Sequence, residues 1–246
     1  MKKYWKLMFL VVVVVMTLFI YKITYNHGYH YVALGDSLAV GVNSYGEINY
    51  GYNDYVKDYL EEKELLKSYT NAFSNIDYDI NDLKDDIENN RRRVINNTDV
   101  SIRKALREAD VVTISIGIND LAQVFKNNLN NKEKCLDKID DIYFELKDLL
   151  VEVRKYAKKE ILLIGYYNPF PYLKDYNNDI NQLIEYSNSN LIRLAEEYNI
   201  YYVDIFDDLS GNTLYFSNPN RIYPNSFGYK MISKRLIDVI EANIIN

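Results

Sequence analysis

The chain has 246 residues and a mass of 29.0 kDa, with 48% apolar and 26% charged residues, an ordinary balance for one large globular domain. A net charge of −6 and a pI of about 5.1 speak against a nucleic-acid binder, which presents a basic face. One cysteine, Cys135, excludes an internal disulfide framework and a Cys-based zinc cluster, and nine Gly with four Pro leave no low-complexity linker.

In chain order, Lys2, Lys3 and Lys6 precede an apolar run from Leu7 to Tyr21. Those fifteen residues make about 22 Å of helix against a hydrocarbon core of ~30 Å, and Tyr4, Trp5 and Lys22 to Tyr25 can extend it. The exit Ile23–His27 lacks the small residues of a signal-peptidase site. The expectation is an uncleaved signal anchor over residues 1–25, in the membrane through residues 4–25. Residues 26–30 would be a linker, and residues 31–246 an extracytoplasmic domain on a single-pass anchor. A cleaved signal peptide is the alternative.

Beyond the linker, Tyr31–Leu34 reads as a strand ending at Gly35, and Tyr52–Leu66 as a helix with apolar residues at three-to-four spacing. Ser68–Phe73 is a second strand, and Asp79–Glu88 and Ser101–Glu108 are helices. Val111–Ile116 is a β-branched, buried strand. Ile139–Tyr156 is a helix, Ile161–Ile164 a strand, Asn178–Tyr198 a helix, Ile200–Ile205 a strand and Phe227–Ile244 a closing helix. Five strands alternating with helices predict one α/β domain with a parallel sheet covered on both faces. Ligands bind such sheets beyond the carboxyl ends of the strands, so chemistry is expected in the loops that follow them.

Two of those loops are informative. Gly35-Asp36-Ser37-Leu38 follows the first strand, where Ser37 can present a hydroxyl to a cleft; Asp36 and Ser37 can equally cap a helix. Gly117-Ile118-Asn119-Asp120 follows the third, where the Asn119 amide can donate to an oxyanion or serve a turn. Together the motifs resemble the SGNH, or GDSL, family of serine esterases, over Tyr31 to about Ile244. Tyr50–Tyr55, Gly165–Pro171 and Pro224–Tyr229 add local similarity. The resemblance implies a three-layer α/β/α sandwich with a flavodoxin-like, five-stranded parallel sheet and no cofactor. It also implies Ser37 as nucleophile, and an oxyanion hole from the Ser37 N–H and the Asn119 side chain.

Two positions depart from the family. Asn75 stands where a Gly N–H completes the oxyanion hole; Asn tolerates left-handed backbone angles, so its N–H can still serve. The catalytic Asp-x-x-His reads Asn220-Arg221-Ile222-Tyr223, placing Tyr223 at the His position and Asn220 at the Asp position. A phenol with a pKa near ~10 is ionised in about one molecule per thousand at pH 7, so Ser37 lacks a general base. Asp36 or Asp120, raised by burial, or a Tyr223 acidified by Arg221, are substitutes of lower weight than capping or turn roles.

His27 and His30 are the only imidazoles and read as linker residues, with His30 near the sheet end opposite Ser37; as metal ligands they have low weight. Arg91-Arg92-Arg93 reads as a solvated polar loop, with anionic lipid or wall polymer as an alternative contact. The expected function is an SGNH-like hydrolase of ester-bearing lipid or cell-envelope glycan, impaired by the missing base. The alternative is an inactive binder of glycan, lipid or protein in the retained cleft. A flavodoxin-like sensor is a third reading, disfavoured by the paired motifs.

Overall fold

The computed structural model describes residues 2–24, 28–170 and 172–245. His27 and Pro171 therefore lie outside the described residues. Helix α1 spans Lys2–Thr24, with Met8 to Met16 exposed. The expected membrane-spanning helix is thus found only as a helix: among the described residues none is long and apolar enough to cross a membrane.

Five parallel strands form the central sheet: β1 (Tyr29–Gly35), β2 (Leu66–Thr70), β5 (Val111–Ser115), β6 (Glu160–Ile164) and β7 (Tyr201–Val203). Their order is β2-β1-β5-β6-β7. The order reverses between β1 and β5, so the crevice expected to take a ligand opens at their carboxyl ends. Those are the ends that carry Gly35–Ser37 and Gly117–Asn119.

Side-chain alternation divides the sheet into two faces. Val32, Leu34, Val112, Ile114, Ile161 and Leu163 pack with α4 (Ile80–Glu88), α5 (Ile102–Glu108), α6 (Ile118–Asn128), α7 (Lys132–Tyr156) and α8 (Asn177–Tyr198). Tyr31, Ala33, Val111, Leu162 and Ile164 pack with α2 (Ser37–Val40), α3 (Tyr52–Glu62), α9 (Phe206–Leu209) and α10 (Ser226–Asn243). Three layers result. Helix α7 earns its position through Ile139, Ile142, Leu146, Leu149, Leu150 and Val153, one apolar face at helical spacing.

Several expectations need correction. His30 is not a linker residue: it lies in β1, its Nδ1 2.6 Å from Ser68 Oγ and its N–H donating to Asp110. β1 therefore starts at Tyr29. The Arg91–Arg93 segment presents a solvated face, as expected, but is not a loop. Arg92 and Arg93 begin β3 (Arg92–Ile95), which pairs antiparallel with β4 (Thr98–Ser101). The hairpin turns on Asn96 and Asn97, both at positive φ (48° and 61°), as a tight primed turn requires. Arg91 instead ion-pairs at 2.6 Å with Asp86, which is almost fully buried.

Candidate active site

The site begins with the close approach of β1 and β5. Gly35 has φ 143°, and a Cβ there would sit 1.8 Å from the Ser115 carbonyl oxygen. Glycine lets the chain turn at once into α2. Asp36 caps that helix, its Oδ1 accepting from Leu38 N–H at 2.9 Å. Ser37 follows at the first helical position, fully buried, where the backbone N–H has no intrahelical acceptor. The capping reading of Asp36 and the cleft reading of Ser37 therefore coexist.

Across the crevice, Gly117 at φ 100° caps α6, with the Tyr166 hydroxyl where a Cβ would stand. Asn119 lies in the first turn of α6. Tyr223, 7% exposed, arrives on the loop before α10. Its hydroxyl donates to Asn119 Oδ1 at 3.2 Å, and Asn119 Nδ2 donates to the Tyr78 carbonyl at 3.1 Å. Burial pushes the Tyr223 phenol above its usual value, against opposing pulls from the neighbouring Ser37 hydroxyl and from Arg221. Ser37, Asn119 and Tyr223 thus meet at the switch point.

The other two expected residues do not join them. The Asn75 N–H donates to the Gly35 carbonyl at 3.1 Å, turned away from any oxyanion. Asn220 is exposed; its N–H donates to Asn218 Oδ1, three residues along the chain from the phenol. A residue that the sequence motifs do not flag, Asp77, takes the place next to the hydroxyl: its N–H donates to Ser37 Oγ at 3.0 Å. Asp77 sits at φ 60°, which Asp tolerates better than most side chains.

A cavity of about 570 Å³ opens beside this cluster, lined by Asp77, Asn119 and Tyr223 and by the carboxylates Asp120, Asp141 and Glu145. Burial, aided by Asp79, pushes Asp120 up to about 7, and its Oδ2 is buried without a partner. Burial also pushes Asp36 up to about 8, against the Leu38 N–H that favours its charged form. Asp36 Oδ2 is likewise unpartnered. No group of three or more metal-ligating side chains occurs among the described residues.

The five-stranded parallel sheet flanked by helices is consistent with the SGNH hydrolase fold, and comparison with known proteins agrees. The profile of the GDSL-like lipase/acylhydrolase family matches residues 33–231. The chain belongs to this family. It is 25% identical over 213 residues to the spore germination lipase LipC of Bacillus licheniformis, covering 84% of this chain and 93% of that one. It is also 25% identical over 156 residues to Bacillus subtilis YpmR, of whose length the chain spans only 58%. Among solved structures, the lipase Lip_vut3 from a goat rumen metagenome superposes with a TM-score of 0.69. That match has 24% identity and covers 85% of this chain and 95% of the other, a likeness of fold.

Proposed function

We propose that this SGNH-type domain binds an ester-bearing lipid or envelope glycan and hydrolyses it far more slowly than a triad enzyme. The observation that carries the reading is the set of hydrogen bonds around the Ser37 hydroxyl and Asn119. Asp77 N–H donates to Ser37 Oγ, Tyr223 donates to Asn119 Oδ1, and Asn119 donates to a peptide carbonyl. None of these partners is a base, so none of them takes the proton that Ser37 must lose to attack. Two intended oxyanion donors are spent as well: the Asn119 amide on Tyr78 and the Asn75 N–H on Gly35. Losing a triad member leaves a residual enhancement of about 10³–10⁴ over water, from the oxyanion hole and substrate binding. Here that remainder is reduced too.

One observation favours a second reading, a working esterase without imidazole. Asp120, pushed up to about 7, lines the same cavity as Asn119 and Tyr223 and has the basicity of a histidine. A fluorophosphonate probe with p-nitrophenyl acetate turnover separates the two. The expected result is weak or absent labelling and turnover near the Ser37→Ala background. Robust turnover lost in Ser37→Ala would overturn the proposal.

We also propose that residues 4–25 attach the chain to the outer face of a bacterial cell membrane. The apolar run Leu7–Tyr21, the preceding lysines and the uncovered Met8–Met16 surface support this. Protease added to intact cells should remove the domain; full protection would contradict the orientation.

A further inference from the structure

This acidic chain gathers much of its positive charge in one place. Residues 91–107 carry six Lys and Arg against one Asp, and residues 154–159 carry four and no acid, out of 29 in a chain of net charge −6. The fold joins the two segments: the Arg103 and Arg107 guanidinium carbons of α5 lie 5.0 and 5.8 Å from the centre of the Tyr156 ring at the end of α7. Helix α5 leads into β5 and α7 into β6, so this face lies at the amino ends of the strands, the rim opposite Ser37. It borders the point where the chain enters β1, because the His30 N–H donates to Asp110 and Asp110 pairs with Lys159. Much of the charge is uncompensated. Arg103 donates to the Ile87 and Glu88 carbonyls at 2.9 and 2.6 Å, and Lys158 to the Arg154 carbonyl at 2.7 Å. Arg107 has no carboxylate partner among the described residues, and Lys104 reaches Glu108 only at 3.8 Å between exposed groups, a pair worth little. The β3–β4 hairpin joins α5 where the Ile102 N–H donates to the Arg91 carbonyl at 2.8 Å, and its Val94, next to Arg93, is 75% exposed.

We propose that this basic face docks on anionic lipid headgroups of the membrane that residues 4–25 enter, and so holds the rim carrying Ser37 and Asn119 away from the bilayer. The inference takes from the preceding reading only that a membrane is the neighbour of residues 4–25. Each Lys or Arg near an anionic bilayer strengthens binding about fivefold, so Arg103, Arg107 and Lys158 together supply roughly a hundredfold. Charge complementarity and continuity with the entry to β1 select a lipid surface as the occupant. The exposed Val94 beside the cations suits a bilayer interface, where an apolar side chain leaves water, and gains nothing from a soluble polyanion.

The test uses the full chain reconstituted into phosphatidylcholine vesicles, with and without about one third phosphatidylglycerol. A membrane-impermeant acetylating reagent reads the accessibility of each lysine by mass spectrometry. In the anionic vesicles Lys104, Lys155 and Lys158 should react at least fivefold more slowly than in the neutral ones, while the exposed Lys174 and Lys230, on the Ser37 side, react equally in both. Salt at about 1 M, which shortens the screening length to ~3 Å, should remove the difference. Lys104→Glu with Arg107→Glu and Lys158→Glu, all at exposed positions, should make Lys155 equally reactive in the two kinds of vesicle. Equal reactivity of the native protein in both, or protection that survives salt and the triple variant, would overturn the proposal. Equal protection by long-chain polyphosphate without vesicles would overturn it too, assigning the face to a free polyanion. Flotation separates the two readings. A chain that floats with neutral vesicles but gains no protection in anionic ones sinks this proposal alone. A chain that floats only with anionic vesicles, and not as the triple variant, sinks the attachment by residues 4–25 alone.

Discussion

Returning an imidazole to the site tests whether the missing base is what limits it. In Tyr223→His with Asn220→Asp, a group whose pKa is raised from about 10 gives way to one near ~6.5. At pH 7 the phenol offers its basic form in fewer than about one molecule per thousand, and the imidazole in about three of four. A positioned general base contributes typically 10²–10⁴-fold. The structure takes some of that away. Asn220 is exposed, so the new carboxylate is solvated and orients the ring imperfectly, and Asp77 N–H still holds Ser37 Oγ. Removing the phenol frees Asn119 Oδ1, which helps the amide turn toward an oxyanion. The net expectation is at least a tenfold rise in p-nitrophenyl ester turnover, falling away below pH 6 as the imidazole protonates. Turnover no faster than in the same variant carrying Ser37→Ala would refute the reasoning.

Tyr223→Phe removes one hydrogen bond in a buried cluster and should cost about 0.5–1.5 kcal/mol in urea unfolding while leaving turnover at background. Gly35→Ala drives a Cβ into the Ser115 carbonyl and should cost about 3 kcal/mol or more, read as loss of soluble folded protein. Because the folded pKa of Asp36 is raised to about 8, its stabilisation is complete below the unfolded value near ~3.9 and is lost as pH climbs toward 8. Unfolding free energy should fall across that window by up to roughly 1.4 kcal/mol per pH unit, and Asp36→Asn, which keeps the cap, should flatten the slope. A slope unchanged in that variant would contradict the assignment.

The parts of the fold that sequence revealed are those governed by period and burial. The β-branched run Val111–Ile116 and the apolar face of α7 can only be a buried strand and a core helix, and their alternation fixes the layers. Ser37 and Asn119 were legible because both follow a glycine at the end of a strand. The β3–β4 hairpin was not, because its strands are four residues long and mostly polar; the Asn96-Asn97 pair was the available signal. His30 was misplaced because a polar strand end a few residues after an apolar run resembles a linker. The contacts of Asp77 and Asn75 with Ser37 and Gly35 depend on how one loop folds back across the sheet, and no local pattern encodes that path.

Strand β1 has a mechanical consequence. The chain enters it at Tyr29, on one rim of the sheet, and leaves it at Gly35, beside the nucleophile position on the other. Seven extended residues at ~3.3 Å each make a stiff strut of roughly 20 Å between the two points. The point where the chain enters the sheet is therefore held a full strand's length from the nucleophile position, and the strand's pairing with both neighbours keeps that spacing fixed.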